Sequence, residues 1–442
     1  ADNVNLNGAS VTTTGNQDYT TVTLGNNVTL NSGAGNISTT GAISGGGTRD
    51  LTIQGSGTNS INATAGINTL ALNQTGGSIT FTGNLDTATL TTAANNFSIA
   101  VQGSSNTVTG GALTTFTNTG TLTLGNGGDT TTFNGGLTAT APVLVNIGGA
   151  VDATVAGRAV TLGATKLTSG TPSSISTNNG DIAFTNTLSG TTAGAENLTL
   201  TAGTGDITFS NSVGATRLGA VQIVSARNVN VNNTFTATSL VQSAGTGTTT
   251  IGGAVDTNAA TGVSLTNQVV TVNQGITTTG TGTVTLNATV GALTLAAAGD
   301  INSDGAVSLT GAGGISTAGD VTTTNDNITF NSATTLTGGA TVALNTGAGA
   351  GNIQFGNTLK GTPAGAENLT LTAGTGDITF SNVVGSTRLG AVQINSAHDV
   401  NVNNTFTAAS LVQSAGTGTT TIGGAVDTNA ATGVSLTNQV VT

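Results

Sequence analysis

Apolar residues recur at every second position, in short runs, along the whole chain. Val4/Leu6, Val22/Leu24, Val28/Leu30, Leu51/Ile53, Leu70/Leu72 and Ile79/Phe81 are each separated by one small or polar residue. Alternate side chains of a strand share a face, so a period of two predicts half-buried β-strands. Clusters of Gly, Ser and Asn, as at 44–47 and 55–60, punctuate the runs as turns. No stretch carries a helical stripe with caps. More than half of the residues are therefore expected in strands, with essentially no α-helix.

The pattern is also duplicated. Residues 351–442 laid over 180–271, at an offset of 171, match at 81 of 92 positions. The string GAENLTLTAGTGDITFSN stands at 194–211 and at 365–382, and Leu240–Thr271 is identical to Leu411–Thr442. A diverged echo lies upstream. Ile147–Asp152 followed by Val160-Thr-Leu162 returns as Ile251–Asp256 with Val263-Ser-Leu265, and as Ile422–Asp427 with Val434-Ser-Leu436. Long internal repeats are the mark of solenoids and propellers.

A finer period runs inside the 171-residue unit. Strand openings fall near Leu198, Val221, Leu240, Val263, Val284, Val307 and Ile328, in steps of about 19–24 residues, the length of one solenoid coil. Gly-[Asp/Asn]-Ile-x-Phe recurs at Asp181–Phe184, Asp206–Phe209, Asn352–Phe355 and Asp377–Phe380, with a variant at Asn327–Phe330. Its Gly-Asx turns the chain, and its Ile and Phe share one face. Phe209 and Phe380 are thus expected inside, each beside the Phe one coil earlier, Phe184 and Phe355. A propeller needs about 40–45 residues per blade and aromatic signatures, and the strands are too short and evenly spaced for a sandwich array. The fold predicted is all-β: a parallel β-solenoid with coils of about 19–25 residues. Its organisation reads as diverged coils over 1–179, a first repeat unit over 180–350 and a partial second copy over 351–442, in one continuous solenoid. About 21 coils at about 4.8 Å each would make a rod roughly 100 Å long.

Composition sharpens this reading. Charged residues are only 6% of the chain, against roughly a quarter in ordinary proteins. Aromatics are 3%, yet 36% is hydrophobic, mostly small or β-branched, enough for a thin continuous core and too regular for disorder. Net charge is −11 with seven basic residues, which argues against nucleic-acid and anionic-membrane partners. The chain has no Cys, which removes disulfides and thiolate metal sites. No run of 18 apolar residues offers a transmembrane helix. The Ala1-Asp2 start suits a mature end after cleavage at small residues.

AENLTLTAGTGDITFSN (195–211) and GDINSDGAVSLTGAGGISTAGDV (299–321) resemble coils of large bacterial surface proteins of the filamentous-haemagglutinin and autotransporter-adhesin type. The resemblance implies a right-handed parallel β-helix, export to the cell surface, and adhesive or structural work. It covers most of the chain. The Asn-Pro-Asn-Gly motif of two-partner-secretion domains is missing from the N-terminal region, and no C-terminal membrane barrel is visible.

Little in the sequence carries chemistry. Asp300-Ile-Asn302-Ser-Asp304-Gly305 matches the first half of a calcium loop, but position twelve is Gly311 where a bidentate acid belongs. A polar turn is the plainer reading, and a calcium site at Asp300, Asn302 and Asp304 the alternative. Gly127-Gly-Asp129 stands alone, so the tandem nonapeptide of calcium β-rolls is absent. Carboxylate catalysis would need acids converging on one face. Here the acids look solitary, and Glu196 and Glu367, copies of each other, read as solvated turn residues. Asp206 and Asp377 are candidates for ion pairs with Arg217, Arg227 and Arg388. His398, standing where the first copy has Arg227, reads as a surface substitution and not a ligand. Threonine clusters at 12–14, 130–132, 248–250, 277–279 and 322–324 raise ice binding, but they keep no fixed interval. Strings such as Asn228–Asn233 suggest amide ladders between coils.

These observations lead to an extracellular structural protein, a surface-filament subunit or the stalk of an adhesin, with no enzyme activity and no cofactor. The alternatives are a carbohydrate- or surface-binding module, an ice-binding solenoid and a polysaccharide-active β-helix enzyme. Few Lys and Arg leave few tryptic sites. Thr442 stops where the first copy runs on into Val272-Asn-Gln-Gly275, and neither end carries a cap. End-to-end self-association into a filament, or a natural chain that continues, is the expectation.

Overall fold

A computed structural model describes residues 3–168 and 172–442, so the Ala1-Asp2 start lies outside the described residues. Among them strands account for more than half, and there is no helix. The chain forms two compact units, Ala1–Arg227 and Asn228–Thr442. In both, the strands pair in parallel and stack as the coils of a β-solenoid.

In the first unit the apolar pairs read from the sequence become successive rungs. Val28, Leu51, Leu70 and Leu90 lie in register one coil apart. Ile79/Phe81 stacks on Ile99/Val101, then on Leu122/Leu124, then on Val145/Ile147. The Gly-Asp-Ile-x-Phe strands Ile182–Phe184 and Ile207–Phe209 pair residue for residue.

The second unit is more regular. Val263, Val284, Val307, Ile328, Ile353, Ile378 and Val400 form one ladder, each in register with the next one coil on. Two further ladders complete each coil. One runs through Val255–Thr257, Ile276–Thr278, Ile301–Ser303 and Val321–Thr323. The other runs through Thr248–Ile251, Val269–Val272, Leu293–Leu295 and Ile315–Thr317. Three short strands per coil explain why the sequence shows brief period-two runs broken by turns.

The alternation decides the core. Nearly every triplet is buried–outward–buried, with Val, Ile, Leu and Phe inside and Thr, Ser, Asn or Gln outside. All eleven phenylalanines are fully buried. Phe184 stacks on Phe209 with ring centroids 5.4 Å apart and planes 1° from parallel, and Phe355 on Phe380 at 5.5 Å and 2°. The two copies hold their phenylalanines alike, as expected from the repeat. They also share a register shift, after Leu200 in one and after Leu371 in the other.

The turn before these strands is fixed by two residues. A Cβ on Gly205 would overlap the backbone of Gly180, and one on Gly376 that of Gly351, so the glycine is required by coil stacking. The Asp or Asn that follows works between coils. Its side-chain oxygen accepts the backbone N–H of the equivalent residue one coil on: Asp181 from Asp206 at 2.8 Å, Asn327 from Asn352 at 2.9 Å, Asn352 from Asp377 at 2.7 Å and Asp377 from Asp399 at 3.0 Å. In the string Asn228–Asn233, Asn228 makes the same kind of contact, its Oδ1 accepting from Thr248 N at 2.8 Å, while Asn230 stands in register with Thr250 and not with another amide. Only an acceptor is needed, so Asp and Asn interchange.

Candidate functional site

Asp300 and Asp304 belong to the same coil-to-coil scheme. Asp300 Oδ1 accepts from Asp320 N on the next coil at 2.9 Å, while Asp304 Oδ2 accepts from Thr281 N on the preceding coil at 2.7 Å. The two carboxylates thus reach in opposite directions along the stack. Asn302 is exposed and lies in register between Thr277 and Thr322. These side chains, with Thr279, Asp304 and Thr324, border a groove of about 260 Å³. Its chemistry is that of hydroxyls, an amide and one acid, able to hydrogen-bond a polyhydroxylated ligand. In four of the threonine clusters the central residue, Thr131, Thr249, Thr278 or Thr323, is buried, so the two flanking threonines are the ones that face outward.

The charged residues sort differently from expectation. Arg227 makes a two-pronged contact with Asp206, Nε to Oδ1 at 2.9 Å and Nη2 to Oδ2 at 2.8 Å, as proposed from the sequence. That hydrogen-bonded carboxylate, then its charge, raises the guanidinium pKa further. Arg388 does not pair with Asp377. It reaches Asp427 Oδ2 at 2.5 Å, donating also to the carbonyls of Ala408 and Asp427. Asp377 instead meets His398, whose Nδ1 is 3.2 Å from Asp377 Oδ1 and 3.4 Å from Asp399 Oδ1. Among the described residues this is the one grouping of three side chains able to hold a metal ion. The signal for it lay in the paired change from Arg227-Asn228 to His398-Asp399 between otherwise similar copies.

Glu196 and Glu367 correct the sequence reading. They are not solvated: Glu196 is 3% exposed and Glu367 0%. Each carboxylate folds back into its own loop. Glu196 accepts the N–H groups of Thr191 and Thr192, each at 3.1 Å. Glu367 accepts that of Thr362 at 3.0 Å. Pro363 stands where the first copy has Thr192 and has no N–H, so Oε1 of Glu367 accepts from Gly339 N at 3.3 Å. A buried carboxylate is tolerable because backbone donors replace its water. Composition misled here because a lone acid near Gly and Asn resembles a surface turn. Thr-x-Ala-Gly-Ala-Glu-Asn stands in both copies, but it is part of a longer run that is identical through Asn211 and Asn382, so the repeat did not single the glutamate out.

No family model, curated protein or solved structure matches this chain. No helix of the described residues is long and apolar enough to cross a membrane.

Proposed function

We propose that the chain is an extracellular structural element, the β-solenoid stalk of a bacterial surface adhesin or a subunit of a surface fibre. The observation that carries this reading is the uniformity of the stack. Coil after coil repeats one interior and one turn chemistry, and the outward rows are Thr, Ser, Asn and Gln with few charges. Such a unit extends by addition of coils without altering its surface. The scarcity of Lys and Arg fits exposure to proteases, and the coil sequences resemble those of filamentous-haemagglutinin-like proteins.

Sedimentation of the purified chain across a dilution series, with electron microscopy, tests this. Concentration-dependent growth into fibres of constant width supports the fibre reading. A monomer at all concentrations that resists trypsin supports a stalk. Rapid digestion of a monomer would sink both.

A carbohydrate-binding module is the second reading, favoured by the Thr277–Asn302–Thr322 groove. Saturable binding to a glycan array, lost on Asn302→Ala, would support it.

A further inference from the structure

We infer that Asp377, His398 and Asp399 form a binding site for one divalent transition-metal ion, taking the place that a guanidinium fills in the first copy of the repeat.

Acidic turn residues link the coils around this cluster. Two carboxylates occupy consecutive rungs in each copy: Asp181 and Asp206 in the first, Asp377 and Asp399 in the second. Like charges stacked at coil spacing repel, and the first copy answers with a resident cation. Arg227 lies on Asp206 with both nitrogens engaged, and Asp181 adds to its field. At the aligned position the second copy has His398. The local balance is two carboxylates and one guanidinium in the first copy, against two carboxylates and one imidazole in the second.

The charge on Asp399 is not required by the fold. Its Oδ1 accepts Thr419 N at 2.6 Å, and the aligned Asn228 does the same for Thr248 N at 2.8 Å with a neutral amide. A carboxylate here therefore adds only charge and a ligand oxygen. The cluster lies close against the next coil: a Cβ on Gly418 would collide with Asp399 Oδ1 and come 3.1 Å from His398 Cε1, so only glycine lets the chain pass beside these side chains.

The geometry suits a small ion. Ligand atoms bound tetrahedrally at about 2.0–2.1 Å lie about 3.3–3.4 Å from one another. Nδ1 of His398 is 3.2 and 3.4 Å from the two carboxylate oxygens. All three ligand atoms lie within 4.8 Å of each other, on side chains exposed enough to adjust. One imidazole nitrogen with two carboxylates selects zinc or a neighbouring transition metal over calcium or magnesium, which take all-oxygen sets. Water completes the shell.

His398 is the chain's one histidine, so its ring proton signals need no assignment. Zinc chloride is titrated into the full chain at neutral pH in excess magnesium, followed by NMR of those signals and by calorimetry. The expected result is a saturable ring shift at one zinc per chain. Asp399→Asn should weaken binding about tenfold or more. The double variant His398→Arg/Asp399→Asn rebuilds the pair that the first copy folds with, and it should show no calorimetric binding. Ring signals that answer to pH but not to millimolar zinc would mean that a proton alone bridges the carboxylates, and would overturn the inference. Undiminished zinc binding by the double variant would overturn it as well.

Discussion

The backbone N–H of Thr362 donates to Oε2 of Glu367 at 3.0 Å, and in the first copy of the repeat Thr191 does the same for Glu196 at 3.1 Å. Both carboxylates are buried. Removing one leaves its amide donors without their acceptor in a part-buried loop, which costs roughly 1–3 kcal/mol. Glu367→Ala should therefore lower stability by about that amount. Glu367→Gln should also destabilise, because its NH₂ presents a donor where an acceptor is needed. Denaturant melts measure both. A Gln variant equal to the native chain would show that the carboxylate charge contributes nothing.

Phe380 sits between Phe355, stacked at 5.5 Å, and Phe406, edge-on at 5.5 Å. Phe380→Ala should cost about 3–5 kcal/mol through lost burial and the cavity left behind. Coils touch only their neighbours, so the damage should stay local. Hydrogen exchange should accelerate around residues 353–355, 378–380 and 400–406, leaving the strands before Arg227 unchanged. Uniform acceleration throughout would contradict a coil-by-coil stack.

The parallel stack was legible because its causes are local and repeated. Val/Ile/Leu/Phe at period two sets strand faces, and the coil-length repeat sets register, so Val263, Val284 and Val307 could be placed on one ladder in advance. The side-chain contacts were less legible. Which acid meets which base depends on how residues one or two coils apart stack: Arg388 finds Asp427 two coils on, while His398 finds Asp377 one coil back. The burial of Glu196 and Glu367 depends on a loop closing over itself, which hydrophobic patterning does not encode.

The Asx rungs give a sharper test of turn chemistry. Asp320 Oδ1 accepts Ala343 N at 2.8 Å. Asp320→Asn keeps the acceptor and should change stability by less than about 0.5 kcal/mol. Asp320→Ala removes it and should cost about 1–2 kcal/mol. Gly376→Ala drives a methyl into the Gly351 backbone and should cost about 1–3 kcal/mol, since backbone must shift. Equal effects of the Asn and Ala variants would refute the acceptor role.

Asp152 yields a prediction in pH. It lies half-buried on the strand Leu144–Ala153, in register between Thr132 and Ser176, and burial pushes its carboxyl above the ordinary range. The folded chain therefore holds this proton more tightly than the unfolded chain does. The stabilising effect of that proton is fully present below about pH 3.9, the unfolded value, and is lost as the pH rises through the higher folded value. At neutral pH the ionised side chain is a small liability, reduced by its contact with water to well under about 1 kcal/mol. Asp152→Asn keeps the size and removes the charge. It should raise the melting temperature slightly at pH 7, with the advantage shrinking as the pH falls and gone by about pH 3, where native Asp152 is itself neutral. Paired thermal melts of the two proteins from pH 3 to 8 measure the difference. A variant less stable than the native chain at pH 7, or a gap that widens toward acid, would mean that the Asp152 carboxylate is stabilised by its neighbours and not penalised by burial.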